Sequence, residues 1–189
     1  MTTKQVLETT AIFLGKEDLL ACPYFTGEES QISEEDAKEL DLLLRCLNLI
    51  VSEIATDYLS IYKQKELKFE NDECSLKDVD TNIFQIIKLE NSNGENVRFR
   101  IFGDTIKAKV KKATITYTSF AEKCTLDGTV ETFSNQMPCR VLAYGTAMEY
   151  SFISSLHDDA DIWESRYKNA LLTLSHKKHN VVMPKRRWL

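Results

Sequence analysis

The period of the apolar residues changes twice along this chain, and that change limits the folds open to it. Apolar side chains recur every three or four positions from Leu40 to Tyr58, every second position from Val97 to Tyr117, and at helical spacing again from Val141 to Leu174. Neighbours on one face lie 3 to 4 residues apart in a helix and 2 apart in a strand. The order is therefore helix, sheet, helices, an α+β class rather than alternating βαβ units.

The first stripe is Leu40, Leu43, Leu44, Leu47, Val51, Ile54, Ala55 and Tyr58, and Ser33 ahead of Glu34, Glu35 and Asp36 supplies a cap and an acidic first turn. This predicts a helix over about 34–59. In the middle, Val97, Phe99 and Ile101 alternate with Asn96, Arg98 and Arg100, Ile106, Ala108 and Val110 with lysines, and Ala113, Ile115 and Tyr117 with threonines. Each run reads as a strand with one buried face. Asn93-Gly94 and Gly103-Asp104 suit tight turns, which predicts an antiparallel meander starting near Phe84 within a β region of about 63–118. Pro138 fits a first helical residue, opening a helix to about 156 through Val141, Tyr144, Gly145, Met148 and Phe152. Asp158 or Asp159 caps a last helix over about 159–178, with Ala160, Trp163, Tyr167, Ala170, Leu171 and Leu174 as its stripe, and the short connection makes these two helices an antiparallel pair. Val6 to Leu20 gives a weaker helical pattern, interrupted by Gly15 and closed by Pro23. The expected product is an antiparallel helical bundle with the meander inserted, one domain over 1–180, followed by an arm over 181–189 that Pro184 turns out of the last helix.

With 43% apolar residues the 189-residue chain can build a core, and no apolar run nears the roughly 18 residues of a membrane span. The start, Met-Thr-Thr-Lys-Gln, carries no secretion signal. Five scattered cysteines, Cys22, Cys46, Cys74, Cys124 and Cys139, form no C-x-x-C and suit a reducing compartment; Cys46 reads as packing. The net charge of −5 argues against a dedicated duplex-DNA binder. It is unevenly spread: His176 to Leu189 holds five cations and no acid, leaving −10 on the preceding residues.

Signs of catalysis are weak. His157-Asp158-Asp159 reads as helix capping, and His176 with His179 as a solvated helix end, because neither has the further ligands a metal needs. No glycine-rich phosphate loop exists. No catalytic residue, metal or cofactor is expected, and the protein is read as a non-enzyme. The more informative cluster is basic. A turn at Gly103-Asp104 sets Arg100 opposite Lys107 and Arg98 opposite Lys109, like charges that repel across a ladder. An acid should answer them, from Glu66 or Glu70, from a neighbouring subunit through acids such as Glu34, Glu35 and Asp36, or from nucleic acid; a solvated or internally paired face is the other reading. In the tail, Arg186, Arg187 and Trp188 are residue types that anchor interfaces and Lys185 is of the type left at the rim, the other reading being a solubilising tail with Trp188 folded back on its own helices.

Arg45 to Tyr58 together with Val141 to Tyr150 resembles the bacteriophage head-to-tail connector family, the adaptor or tail-tubular-protein-A-like class, and Ala160 to Leu171 is similar to that group's closing helix. The resemblance covers most of the chain in element order, Val6 to Tyr24 excepted. It implies a helical bundle with a β insertion, a homo-oligomeric ring beneath the portal with a dodecamer as one candidate, and a C-terminal segment reaching a neighbour. It further implies portal and tail proteins as partners, passage of DNA without reading its sequence, no membrane, and a place in the virion after assembly in the host cytoplasm. The other readings are a small cytosolic regulatory or protein-binding module using the basic tail, and an enzyme whose residues meet only in three dimensions.

Overall fold

The computed structural model describes residues 1–27, 31–130 and 137–176. The arm, with Lys185, Arg186, Arg187 and Trp188, lies outside the described residues, as does His179. Among the described residues the protein is α+β, with six α-helices and two three-stranded antiparallel sheets. The chain divides into two compact units, one of Met1–Val51 with Cys124–Leu189 and one of Ser52–Lys123.

The first unit is helical. Helix α1 (Thr3–Phe13) opens with a capping box: Thr2 Oγ1 accepts from the Gln5 N–H, and the Gln5 side chain accepts from the Thr2 N–H. Its Val6, Leu7 and Ala11 are fully buried, and it packs on α5 (Cys139–Ile153). The weakly patterned N-terminus is thus part of the core. Gly15, at φ +66°, turns the chain into α2 (Glu17–Leu20). Pro23 then begins a short α3 (Pro23–Thr26) instead of ending the segment, since its fixed φ suits a first helical position.

Helix α4 (Glu34–Glu53) starts as expected, with Ser33 Oγ accepting from the Asp36 N–H at 3.1 Å. Leu40, Leu43, Cys46, Leu47 and Ile50 line its buried face. Past Glu53 the chain widens into a π-turn over Ile54–Tyr58, closed by the Leu59 N–H on the Ile54 carbonyl at 2.7 Å. The wider turn shifts the stripe by one residue. Tyr58 is consequently 48% exposed and Leu59 takes the inner position at 6%.

Pro138 occupies the cap of α5 rather than its first turn, with extended backbone (ψ 141°). Most of α5 is buried, including Val141, Leu142, Ala143, Gly145, Thr146 and Ala147; the Thr146 hydroxyl is satisfied by the Leu142 carbonyl. A three-residue turn, Ser154 to Leu156, folds α6 (His157–His176) back along α5. Because α6 begins at His157, Asp158 and Asp159 sit in its first turn and act on the helix dipole rather than as the cap. Ala160, Tyr167 and Leu171 are buried, while Trp163 stacks on Phe13 at 5.4 Å and Phe13 on Tyr144 at 5.1 Å.

The second unit holds β1 (Ile61–Lys68), β2 (Glu73–Ser75), β3 (Ile83–Asn91), β4 (Phe99–Phe102), β5 (Thr105–Ala108) and β6 (Lys112–Ser119). The expected meander is not formed: one sheet is ordered β1-β6-β3 and the other β2-β5-β4. Only β4 and β5 make the tight hairpin read from Gly103-Asp104, with Phe102 facing Thr105. The Asn93-Gly94 turn forms, but after the Glu90–Asn96 bridge the chain leaves for the second sheet. Leu67, Leu89, Ile106, Ala113, Ile115 and Tyr117 share one core. Strand β6 is central, and its Thr116 and Thr118 are buried as well, so the one-sided alternation expected for it does not hold.

Asp80 braces this unit. Its carboxyl is held below the usual range first by the Asn82 N–H at 3.0 Å, against the effect of burial, and then by the Tyr117 hydroxyl at 2.9 Å and Lys63 at 3.8 Å. Burial and then Asp80 push the Tyr117 phenol up to about 12. A carboxyl whose pKa is lowered by folding stabilises the fold above its unfolded value, about 3.9, and that contribution disappears as pH falls through the folded value. Asp80→Asn is expected to cost about 1 kcal/mol at neutral pH and to flatten the loss of stability below about pH 4. Urea midpoints measured from pH 7 downward check this; parallel curves for the two proteins would contradict it.

Candidate functional site

The short β2-β5-β4 sheet places one row of charges side by side. Register sets Glu73 beside Lys107 and Lys107 beside Arg100, with all three side chains exposed. The expected Arg100–Lys107 opposition is present, and the acid answering it is Glu73, whose Oε1 lies 2.5 Å from Lys107 Nζ. Neither acid named from the sequence fills that role: Glu66 faces Thr114 in the other sheet, and Glu70 bridges to Glu73 through backbone.

Arg98 and Lys109 do not face each other across strands. The ladder ends at Phe99–Ala108, because Val97 donates its N–H to the Leu89 carbonyl and the chain bends at Lys109. Both nevertheless line the same open cleft of about 890 Å³ as Arg100 and Lys107. Half-buried Val97 and Phe99 contribute apolar lining, and Phe102, 54% exposed, lies 5.6 Å beneath Lys107 Nζ. Of the four cations, Lys107 is compensated, by Glu73. Arg98, Arg100 and Lys109 form no ion pair among the described residues.

Sequence reading missed Glu73 because a three-residue strand is too short to show alternation. Its signal was local: Asn71 and Asp72, both at positive φ, form a turn that delivers an exposed acid, a buried Cys74 and a half-buried Ser75.

A surface of opposite character lies in the helical unit. Glu17 and Asp18 at the start of α2, with Glu35 and Asp36 at the start of α4, line an open groove of about 510 Å³. Its lysine, Lys16, is engaged by Glu39 at 2.5 Å, and Glu39 also accepts from the Tyr150 hydroxyl at 2.6 Å. Burial disfavours the Lys16 charge, but Glu39 and Tyr150 outweigh it and raise the pKa. Glu17, Asp18 and Glu35 form no ion pair among the described residues.

The remaining candidates sit apart. His157 is exposed at the first position of α6. Cys46 is fully buried, and desolvation, with Glu149 and Glu39 nearby, pushes its thiol up to about 11, so it stays protonated and packs as a small apolar group. Among the described residues no group of three or more His, Cys, Asp or Glu could hold a metal ion, and no helix is long and apolar enough to cross a membrane. No model of a known protein family matches the chain, and no curated protein matches it.

Proposed function

We propose that this protein works by docking rather than by catalysis, as a head-to-tail adaptor of a phage virion. The observation that carries the docking reading is the cleft: Arg98, Arg100 and Lys109 line an open, partly apolar surface and form no ion pair among the described residues. Such a surface is relieved by an acidic partner, and complementary charge orients partners and speeds their encounter. Support for the adaptor reading comes from the resemblance and from element order, with long α4, the inserted strands and the closing pair α5 and α6.

In that role the helices form a bundle carrying the β insertion, and copies occupy a ring beneath the portal through which DNA passes unread. The segment 181–189 extends to the portal, a tail protein or a neighbouring copy, with Trp188 as anchor and Lys185, Arg186 and Arg187 around it. Immunogold labelling of purified particles of the source phage is expected to place the protein at the vertex joining head and tail. Recovery of the chain solely in the particle-free fraction of the lysate would overturn the adaptor reading.

A further inference from the structure

The two uncompensated surfaces are complementary. Among the described residues, the cleft presents three cations without an ion pair, Arg98, Arg100 and Lys109, beside exposed Phe102, and the groove at α2 and α4 presents three acids without one, Glu17, Asp18 and Glu35. We infer that the partner of the β4-β5 cleft is a second copy of this chain, which receives it on the acidic groove at the starts of α2 and α4. This deepens the ring proposal and rests on it.

Three features favour this occupant over a nucleic acid. Asp72 and Glu73 border the cleft and would repel a phosphate backbone approaching the cations. Lys107 is already occupied by Glu73, which leaves a short cationic patch rather than a track that a polyanion could follow. The apolar component, Phe102 at 54% exposure with half-buried Val97 and Phe99, adds contact area of the kind protein interfaces bury. Because the cleft and the groove are different surfaces, the contact is head-to-tail, and a head-to-tail contact repeats from copy to copy until it closes as a ring or continues as a filament.

A charge swap tests the contact on the full chain. One variant carries Arg100→Glu and Lys109→Glu, the other Asp18→Lys and Glu35→Lys. All four positions are exposed, so near-ultraviolet circular dichroism and melting should show each variant folded. In sedimentation velocity at low ionic strength, the wild type is expected to gain mass with concentration, and each variant alone to self-associate at least tenfold more weakly. An equimolar mixture pairs acidic cleft with basic groove and basic cleft with acidic groove, so it should regain wild-type association; added salt should weaken both. A wild type that keeps the mass of one chain at every concentration, variants that associate like wild type, or a mixture that fails to recover would each overturn the contact. So would a single-stranded oligonucleotide bound by wild type and lost with Arg100→Glu and Lys109→Glu, which would make the cleft a nucleic-acid site. Particle labelling does not depend on these outcomes, so the adaptor reading can stand where this contact fails.

Discussion

Replacing Gly145 by alanine is expected to lower the stability of the helical unit by about 1–3 kcal/mol, and Gly145→Leu to prevent that unit from folding. An alanine Cβ at this site would lie 2.8 Å from Ile50 Cγ2, 3.0 Å from Ile50 Cδ1 and 3.0 Å from Tyr167 Cε2. The first distance is shorter than real Cβ contacts and the other two are tighter than most, and neither neighbour yields easily. The Ile50 γ-methyl is fixed by β-branching, and both Ile50 and Tyr167 are buried. Alanine gains about 1 kcal/mol over glycine in helix propensity, which reduces the loss without reversing it. Urea unfolding measures the effect, and the Ile50→Ala, Gly145→Ala pair tests its cause. Ile50→Ala should be costly alone and much less so beside Gly145→Ala, because it opens the space the new methyl needs. Equal costs in both backgrounds would mean that α4, α5 and α6 do not meet at this point.

Asn48→Ala is expected to destabilise the helical unit by about 1–3 kcal/mol through backbone groups left without partners. The Asn48 amide clamps the chain at Cys124: its Oδ1 accepts from the Cys124 N–H at 2.7 Å, and its Nδ2 donates to the Cys124 carbonyl at 3.2 Å and to the Leu44 carbonyl at 3.0 Å. Cys124 is 7% exposed, so water is a poor substitute for those bonds. Asn48→Asp separates the two halves of the clamp, keeping the acceptor while setting an anionic oxygen against the Cys124 carbonyl. Both variants should lower the urea midpoint, with the aspartate variant improving as pH is lowered and its carboxyl regains a proton. A midpoint for Asn48→Ala equal to wild type would show that the clamp does not hold.

Asn48 also shows where sequence reading stops. The apolar positions of α4, Leu40, Leu43, Leu47 and Val51, are visible as a period because packing selects them one face at a time. An asparagine that binds backbone 76 residues away leaves no local trace. The inward residues of β6 were legible for the same reason as the α4 stripe, whereas its partners were not. Pairing with β1 and β3 is a long-range choice, and the shifts between Ile83 and Gln85 and between Ile86 and Lys88 accompany exposed Phe84 and Ile87 in β3. Tyr58 was misplaced because a π-turn resets the helical phase. At the cleft all four cations were legible from alternation and one turn, yet their grouping with Glu73 depended on a strand too short to read.

The interruption of the helical unit by residues 52–123 has a consequence for synthesis. Val6 and Leu7 of α1 and Leu43, Leu47 and Ile50 of α4 are completely buried in the finished protein, yet α5, which packs against α1 and reaches Ile50 through Gly145, is encoded after the whole β insertion. At roughly 5–20 residues per second, several seconds separate the emergence of these apolar faces from that of their cover. During that interval the growing chain displays its stickiest surfaces while the strands are still being made. The cover that α5 gives α1 is therefore a late event in synthesis, set by the order of the chain rather than by the strength of the contact.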